Sequence, residues 1–157
     1  MFTVVCDGPG RISTMARPRG GDWIDDEMQA LLDAGASVLV SMLTDSEQRE
    51  LDLLAERAAA TAAGIRFVAL PTADRGVPPV NSFRALLEDL AEELRKGGHV
   101  VIHCRLGIGR SSLVAAGLLI REGHEPDWAW EVVRRARGLD VPDTPQQRAW
   151  LEHLARA

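Results

Sequence analysis

Short apolar runs alternate with amphipathic stretches along this chain. The runs "FTVVC", "SVLVSML", "IRFVAL" and "HVVIH" have the length and composition of β-strands, and "RISTM" is a further, shorter candidate. Continuous apolar runs of this length are typical of strands that are buried on both faces of a parallel sheet. The pattern therefore predicts buried parallel strands, with "SVLVSML" and "IRFVAL" among them.

The stretches between these runs have helical spacing. "DWIDDEMQALLDAG" ends at a glycine and carries one apolar stripe, formed by Ile24, Met28, Leu31 and Leu32. Residues 44–64 are predicted as one helix, because Thr44 and Glu47 are spaced as a capping box. Further helices are predicted in "VNSFRALLEDLAEELRKGG", "SSLVAAGLLIREG", "PDWAWEVVRRARG" and "TPQQRAWLEHLARA". "SSLVAAGLLIREG" is apolar almost all round, so this helix must be buried.

Strands that alternate with helices predict an α/β fold, with a mostly parallel central sheet flanked by helices. No repeat or long linker divides the chain, so residues 1–157 are predicted to form a single domain. Sites in such sheets lie at the carboxyl ends of the strands. The loops after "IRFVAL" and "HVVIH" both leave from those ends.

Composition narrows the classes of function. The net charge of −5 argues against a nucleic-acid partner. No apolar run approaches the length of a membrane span, and the first residues lack the pattern of a signal peptide, so no membrane partner is expected. Two cysteines do not make a disulfide framework, and a cytoplasmic protein is the simplest expectation.

The segment "HCRLGIGRSS" combines a cysteine, two glycines and an arginine at one strand-to-helix turn. Gly107 and Gly109 permit backbone angles that can aim successive N–H groups inward, which forms an anion-binding nest. The planar guanidinium of Arg110 fits two phosphate oxygens. Cys104 lies at the floor of this nest, where the groups that bind a phosphate dianion also stabilise a thiolate. The turn predicts an ionised nucleophile beneath a bound phosphate.

Other interpretations of this turn fit less well. A nucleotide-binding loop of the Walker type needs a lysine where Arg110 stands. His99 and His103 are four residues apart on one strand, about 13 Å, which is too far for a shared metal ion. A purely structural Cys104 would leave the adjacent glycines and arginine without a purpose. No metal site is predicted.

"HCRLGIGRSS" matches the H-C-x5-R-S signature of the cysteine-dependent protein tyrosine phosphatases. Together with "LPTADRGVPP" it resembles the dual-specificity group, and within that group the kinase-associated phosphatases and their bacterial relatives. The similarity covers residues 10–155. It implies the phosphatase fold built around a cysteine–arginine loop, and catalysis without a cofactor.

The resemblance also implies roles for individual residues. Cys104 would attack phosphorus, Arg110 would clamp the phosphate oxygens, and Ser111 would help the thiolate to leave in the second step. His103 would order the loop. The phosphate loop as a whole would consist of His103, Arg105, Leu106, Gly107, Ile108, Gly109 and Arg110.

The leaving group also needs an acid, which the family carries on a loop after the preceding strand. Asp74 has that position, with Asp7 and Asp45 in reserve because they too follow apolar runs. Gln147, or else Gln146, would orient the hydrolytic water; an exposed glutamine at a helix start is the alternative.

Three further residues have two open interpretations. Arg75 and Arg105 either steer anionic substrates or are solvated surface charges. Cys6 is either a small core residue of the first strand or a disulfide partner for Cys104, as in some relatives.

The expected function is hydrolysis of phosphotyrosine, with phosphoserine and phosphothreonine as further candidate substrates, through a phosphocysteine intermediate. The partner would be a phosphorylated protein or a small aryl phosphate; the oligomeric state is not predictable from the sequence. The chain has no tyrosine, which favours a shallow pocket because larger tyrosine phosphatases deepen theirs with a tyrosine loop. A phosphoinositide or RNA 5′-phosphate substrate, a rhodanese-like sulfurtransferase, and a phosphoprotein-binding module without activity are the alternatives.

Overall fold

The computed structural model describes residues 1–157 and contains one five-stranded sheet in the order β1-β2-β5-β3-β4. The strands are β1 (Phe2–Val4), β2 (Arg11–Ala16), β3 (Val38–Ser41), β4 (Arg66–Ala69) and β5 (His99–Cys104). Only β1 is antiparallel to its neighbour, so the predicted mostly parallel sheet is confirmed.

Seven α-helices cover the sheet. They are α1 (Ile24–Asp33), α2 (Asp45–Glu50), α3 (Glu56–Ala63), α4 (Val80–Arg95), α5 (Arg110–Arg121), α6 (Pro126–Arg137) and α7 (Pro145–Arg156). None of them is long and apolar enough to cross a membrane.

The helices form a layer on each face of the sheet. Residues of α1 and α3 pack with Leu39 and Val101 on one face. The helices α4, α5, α6 and α7 pack with Val100 and Ile102 on the other. Alternate residues of β5 therefore face opposite layers, as the period of a strand requires. Helix α5 is buried from Arg110 through Leu119, which confirms the expectation from its apolar sequence.

The prediction of one helix over residues 44–64 is wrong, because the segment is divided into α2 and α3. The capping box of Thr44 and Glu47 is present, but α2 ends at Glu50 and Asp52 adopts a positive φ of 56°. The carbonyl of Asp52 accepts a hydrogen bond from Gly21 N–H at 3.0 Å. This contact with a distant segment holds the break, which local sequence could not reveal.

Two smaller expectations also fail. The strand β4 lies at the edge of the sheet, so it is only partly buried, whereas "IRFVAL" predicted a buried strand. Leu32 belongs to the predicted stripe of α1 but is 38% exposed, because Ile24, Met28 and Leu31 already fill the contact with the sheet.

The two cysteines lie at opposite ends of the sheet. Cys104 ends β5 and pairs in register with Ala16, at the carboxyl end of β2. Cys6 follows the antiparallel β1 and lies against Gly10 and Ile12, near the start of β2. Four strand residues, about 13 Å, separate the register positions Ile12 and Ala16. A disulfide between Cys6 and Cys104 is therefore incompatible with this fold, since bridged Cα atoms lie within about 7 Å.

Candidate active site

The loop between β5 and α5 makes a tight turn that its glycines allow. Gly107 has a positive φ of 71°, and a Cβ atom there would lie 2.7–2.8 Å from backbone atoms of Met15 and Ala16. A Cβ atom on Gly109 would lie 2.6 Å from a carboxylate oxygen of Asp143. At Gly107 the positive φ and the close backbone contacts exclude a larger residue, as the sequence predicted. Gly109 has an ordinary φ of −93°, so the special backbone angle expected there is absent, and its close contacts are with the ends of side chains.

The loop presents a continuous series of backbone donors. None of the N–H groups from Arg105 through Ser112 donates to an acceptor of the protein. Eight consecutive donors without partners are unusual, because backbone groups in folded proteins are almost always paired. The series extends into the first turn of α5, where the positive end of the helix dipole adds to it. The arrangement can bind an anion with several oxygens.

The outer side of the same loop is held by Arg137 of α6. Its guanidinium donates to the carbonyl oxygens of Gly107 at 3.0 Å and Leu106 at 3.3 Å. Because these carbonyls point outward, their peptide N–H groups turn towards the inside of the loop. Nothing in the sequence distinguishes Arg137 from the other arginines of "RRAR", so the sequence analysis missed it.

Cys104 and Ser111 lie together at the bottom of the loop. Cys104 is only 3% exposed, and its Sγ atom lies 3.4 Å from the Ser111 hydroxyl oxygen. A serine hydroxyl can donate a hydrogen bond to a thiolate. The geometry therefore brings the predicted nucleophile and its predicted hydroxyl partner into direct contact.

Arg110 is buried, and acceptor groups of four residues bind its two terminal nitrogens. Glu47 binds it in a bidentate manner, with N···O distances of 2.7 and 2.9 Å. The carbonyl oxygens of Thr72 and Met42 accept from the same group at 2.7 and 3.3 Å. Asp74 accepts from the second terminal nitrogen at 3.2 Å. The Nε–H of Arg110 has no acceptor in the protein and remains available to a ligand.

Opposite charges stabilise the Arg110–Glu47 pair. Burial alone would raise the pKa of Glu47. Hydrogen bonds from Arg110 and from the Thr44 backbone, together with the positive charge of Arg110, outweigh burial and lower this pKa to about 2. Burial lowers the pKa of Arg110, whereas Glu47 and the neighbouring Cys104 and Asp74 charges raise it above its ordinary value. Sequence analysis assigned Glu47 only to the capping box, and the break after α2 hid its second role.

Asp74 lies at the mouth of the loop, at the place expected for the acid. Its side chain is 56% exposed and touches Arg110. It lines a cavity of about 490 Å³ together with Thr44, Ser46, Glu47, Ala73 and Arg105. The reserve candidate Asp7 lies at the other end of the sheet, 92% exposed and 3.8 Å from His124, and is thereby excluded. Asp45 starts α2.

Gln147 is fully buried, so the alternative of an exposed helix-start glutamine is wrong. Its amide N–H donates to the carbonyl of Gly76 at 3.0 Å, and its oxygen accepts from the backbone of Thr144 at 3.1 Å. Both amide atoms approach the position where Gly109 would carry a Cβ atom, at 3.0 and 3.1 Å. Gln147 thus connects the Asp74 loop with the Cys104 loop, while Gln146 is exposed.

The charged residues around the mouth differ in their partners. Arg105 donates to Glu50 at 2.7 Å and to Glu47 at 3.4 Å, which favours the interpretation of a paired surface charge over substrate steering. Arg75 is exposed with a positive φ of 62°. Leu106 is 57% exposed in the loop itself.

His103 is completely buried behind Cys104. Its Nε2 atom lies 2.5 Å from a carboxylate oxygen of Glu56, and its Nδ1 atom lies 3.3 Å from the Cys104 carbonyl oxygen. Glu56 was missed by the sequence analysis, since it stands in the segment that was taken for one continuous amphipathic helix.

Comparison with known proteins agrees with this geometry. The family model described as "Tc-R-P: Polymorphic toxin system, DSP-PTPase phosphatase" matches residues 13–124, more than half of the chain. Cyclin-dependent kinase inhibitor 3 from Rattus norvegicus and from Homo sapiens are each 36% identical over 86 residues, which is 54% of this chain and 41% of the relative. The matched region therefore covers about two-fifths of the length of these curated relatives.

Two solved structures extend the comparison. A crystal structure of kinase associated phosphatase, with its catalytic-site cysteine substituted by serine, has a TM-score of 0.90 at 22% identity, over 99% of this chain and 93% of that one. The active form of Tk-PTP has a TM-score of 0.78 at 25% identity, over 98% and 96% of the two chains. By the family match and the shared fold, the chain belongs to the DSP-PTPase phosphatases, the dual-specificity group of the cysteine-dependent protein tyrosine phosphatases.

Proposed function

We propose that this protein hydrolyses phosphate monoesters of proteins, phosphotyrosine foremost, through a phosphocysteine intermediate. The observation that carries the proposal is the series of eight N–H groups without protein acceptors that surrounds Cys104 and leads into Arg110. Such a series, next to a buried cysteine and a fixed guanidinium, suits a phosphoryl group that passes from an ester oxygen to the cysteine sulfur and then to water. We also propose that residues 1–157 form one catalytic domain.

In the first step the Cys104 thiolate attacks phosphorus while the ester P–O bond breaks. Arg110 donates to the equatorial oxygens through its Nε–H and, after Asp74 has moved away, through its second terminal nitrogen. Asp74 in its acid form gives its proton to the leaving oxygen, since an alkoxide or phenolate is a poor leaving group without one. The product is a phosphocysteine and a free hydroxyl group.

In the second step water attacks the phosphocysteine. The Asp74 carboxylate takes a proton from this water as the new P–O bond forms and the P–S bond breaks. Ser111, 3.4 Å from Cys104, donates a hydrogen bond to the departing thiolate. Gln147 would orient the water in the interpretation taken from the family. Its contact with both loops, described above, also supports a role in holding Asp74 near the cysteine. No step needs a metal ion or a cofactor.

The substrate class follows from the shape of the site and from the relatives. The cavity that Asp74 lines is open to solvent, and Leu106 of the phosphate loop is exposed, which suits the side chain of a phosphoprotein better than a deep, enclosed ligand. One similar structure is named a kinase associated phosphatase, which supports a phosphorylated protein as substrate. A phosphotyrosine or aryl phosphate should react fastest, because a phenolate leaves more readily than an alkoxide. We place the enzyme in the cytoplasm, where a nucleophilic thiol stays reduced.

Turnover against matched substrates tests this proposal. We expect release of phosphate from phosphotyrosine peptides, with less from phosphothreonine peptides, phosphoinositides and RNA 5′-phosphates.

Cys104→Ser should abolish turnover and retain phosphate binding, whereas Cys6→Ser should leave turnover unchanged. Asp74→Asn should slow phosphotyrosine hydrolysis by roughly 10²–10⁴-fold, but slow a highly activated aryl phosphate much less. Equal turnover of Cys104→Ser and the unmodified enzyme would contradict covalent catalysis.

A further inference from the structure

Glu56 and His103 form a buried polar pair behind the nucleophile, and neither residue lines the cavity beside Asp74. Glu56 is 1% exposed and His103 0%. The second carboxylate oxygen of Glu56 has no hydrogen-bond partner. Burying two ionisable groups costs more free energy than burying apolar ones of the same size, even when they are paired. Core packing alone therefore does not explain why these residues stand here.

The partners of the imidazole ring determine where its protons are. The Cys104 carbonyl, 3.3 Å from Nδ1, can only accept, so Nδ1 must carry a proton. At Nε2, either the Glu56 carboxyl group donates to the ring, or the ring donates to the carboxylate. In both arrangements the pair holds two protons and has no net charge, and Nδ1 donates to Cys104.

The Cys104 carbonyl belongs to the first peptide of the phosphate loop. A trans peptide is planar, and its C=O and N–H point in opposite directions. A carbonyl that is held against His103 therefore turns the N–H of Arg105 away from His103. That N–H is the first of the eight donors without a protein acceptor.

We propose that Glu56 is a positioning residue, which fixes the protonated Nδ1 of His103 and thereby aims the first N–H group of the phosphate loop. Its catalytic consequence rests on the proposed phosphatase function. The protonation of His103 and the strength of anion binding, which the proposal also predicts, can both be measured without turnover.

Two substitutions at position 56 separate positioning from packing. A glutamine amide can donate an N–H to Nε2 as the carboxyl group would, so Glu56→Gln should keep the Nδ1 proton and nearly full activity. Glu56→Leu fills the same space without a polar partner. We expect Glu56→Leu to weaken inhibition by inorganic phosphate and to lower kcat/KM by roughly 10- to 100-fold, by analogy with the loss seen when the partner that orients a metal-bound histidine is removed. Its melting temperature should fall, because the substitution removes one partner and leaves His103 buried without the other. Phosphate inhibition is therefore compared at a temperature at which both proteins are folded.

Nitrogen-15 NMR of the histidine rings reports the protonation of each ring nitrogen and does not depend on turnover. The chain has four histidines, so their ring signals can be assigned by substitution. In the unmodified protein Nδ1 of His103 should be protonated at neutral pH, and Glu56→Leu should give a mixture of ring tautomers.

An unprotonated Nδ1 in the unmodified protein would overturn the proposal. So would unchanged phosphate inhibition in folded Glu56→Leu, or a Glu56→Gln variant as impaired as Glu56→Leu. A wild-type protein without esterase activity would refute the proposed function, while the NMR and phosphate-binding results would still decide the role of Glu56.

Discussion

Single residues with two partners connect the parts of the site. Glu47 caps α2 through the Thr44 backbone and also binds Arg110 with both carboxylate oxygens. The local sequence shows only the first contact, because a capping box is defined by a spacing of three residues. The second contact joins positions 63 residues apart, so no local pattern could predict it.

We expect Glu47→Gln to weaken the clamp and to change the response to acid. The pKa of Glu47 is lowered to about 2 in the fold, below the ordinary value of about 4.3. The ionised Glu47 therefore stabilises the native state above pH 4, and this contribution is lost as the pH falls from about 4 to about 2. The free energy of unfolding of the wild type should fall more steeply in this window than that of Glu47→Gln. Glu50→Gln, which alters only an exposed partner of Arg105, serves as control, and equal slopes in all three proteins would contradict the assignment.

At the level of elements, the alternation of apolar runs and helical stripes predicted the strands, the buried helix α5 and the end of the sheet that carries the site. The predictions failed where contacts between distant segments decide the structure. The division between α2 and α3 depends on the contact of Gly21 with Asp52. Because of this division, Glu47 on α2 contacts Arg110 and Glu56 on α3 contacts His103. The position of β4 at the edge depends on strand order, which hydrophobicity alone does not specify.

The turn from β5 to α5 can be tested with a matched pair of glycines. Gly107 and Gly64 both have positive φ, at 71° and 89°, but a Cβ atom meets backbone of β2 only at Gly107. Gly64→Ala should cost about 1 kcal/mol of stability through its backbone conformation alone. Gly107→Ala should cost more, and should also weaken phosphate inhibition, because the loop must shift away from Met15 and Ala16. Denaturant melts and inhibition constants would show this, and equal effects of the two substitutions on both measurements would argue against a sterically fixed loop.

Across the whole molecule, the sheet separates two chemically different thiols. Cys104 ends a parallel strand at the site, whereas Cys6 lies at the opposite end in a cavity of about 270 Å³ with Asp7, Glu122 and His124. Burial raises the pKa of the Cys6 thiol, and although a backbone hydrogen bond from Ile12 lowers it, the charges of Asp7 and Glu122 add to the rise. The fold therefore keeps Cys6 protonated at neutral pH and away from the chemistry of Cys104.

The separation predicts how the protein responds to alkylation and oxidation. At neutral pH, Cys6 should react with iodoacetamide more slowly than a free cysteine, because only the thiolate is nucleophilic, and its rate should still be rising above pH 9. Inorganic phosphate should protect Cys104 and leave the rate at Cys6 unchanged.

Mild peroxide should give no bridge between the two cysteines within one chain, since their Cα atoms would have to come within about 7 Å. Peptide mapping under non-reducing conditions, with Cys6→Ser as the control, measures both outcomes. A Cys6–Cys104 peptide in good yield from folded monomer would show that the two ends of β2 can approach each other, which the register of β2 with β5 forbids.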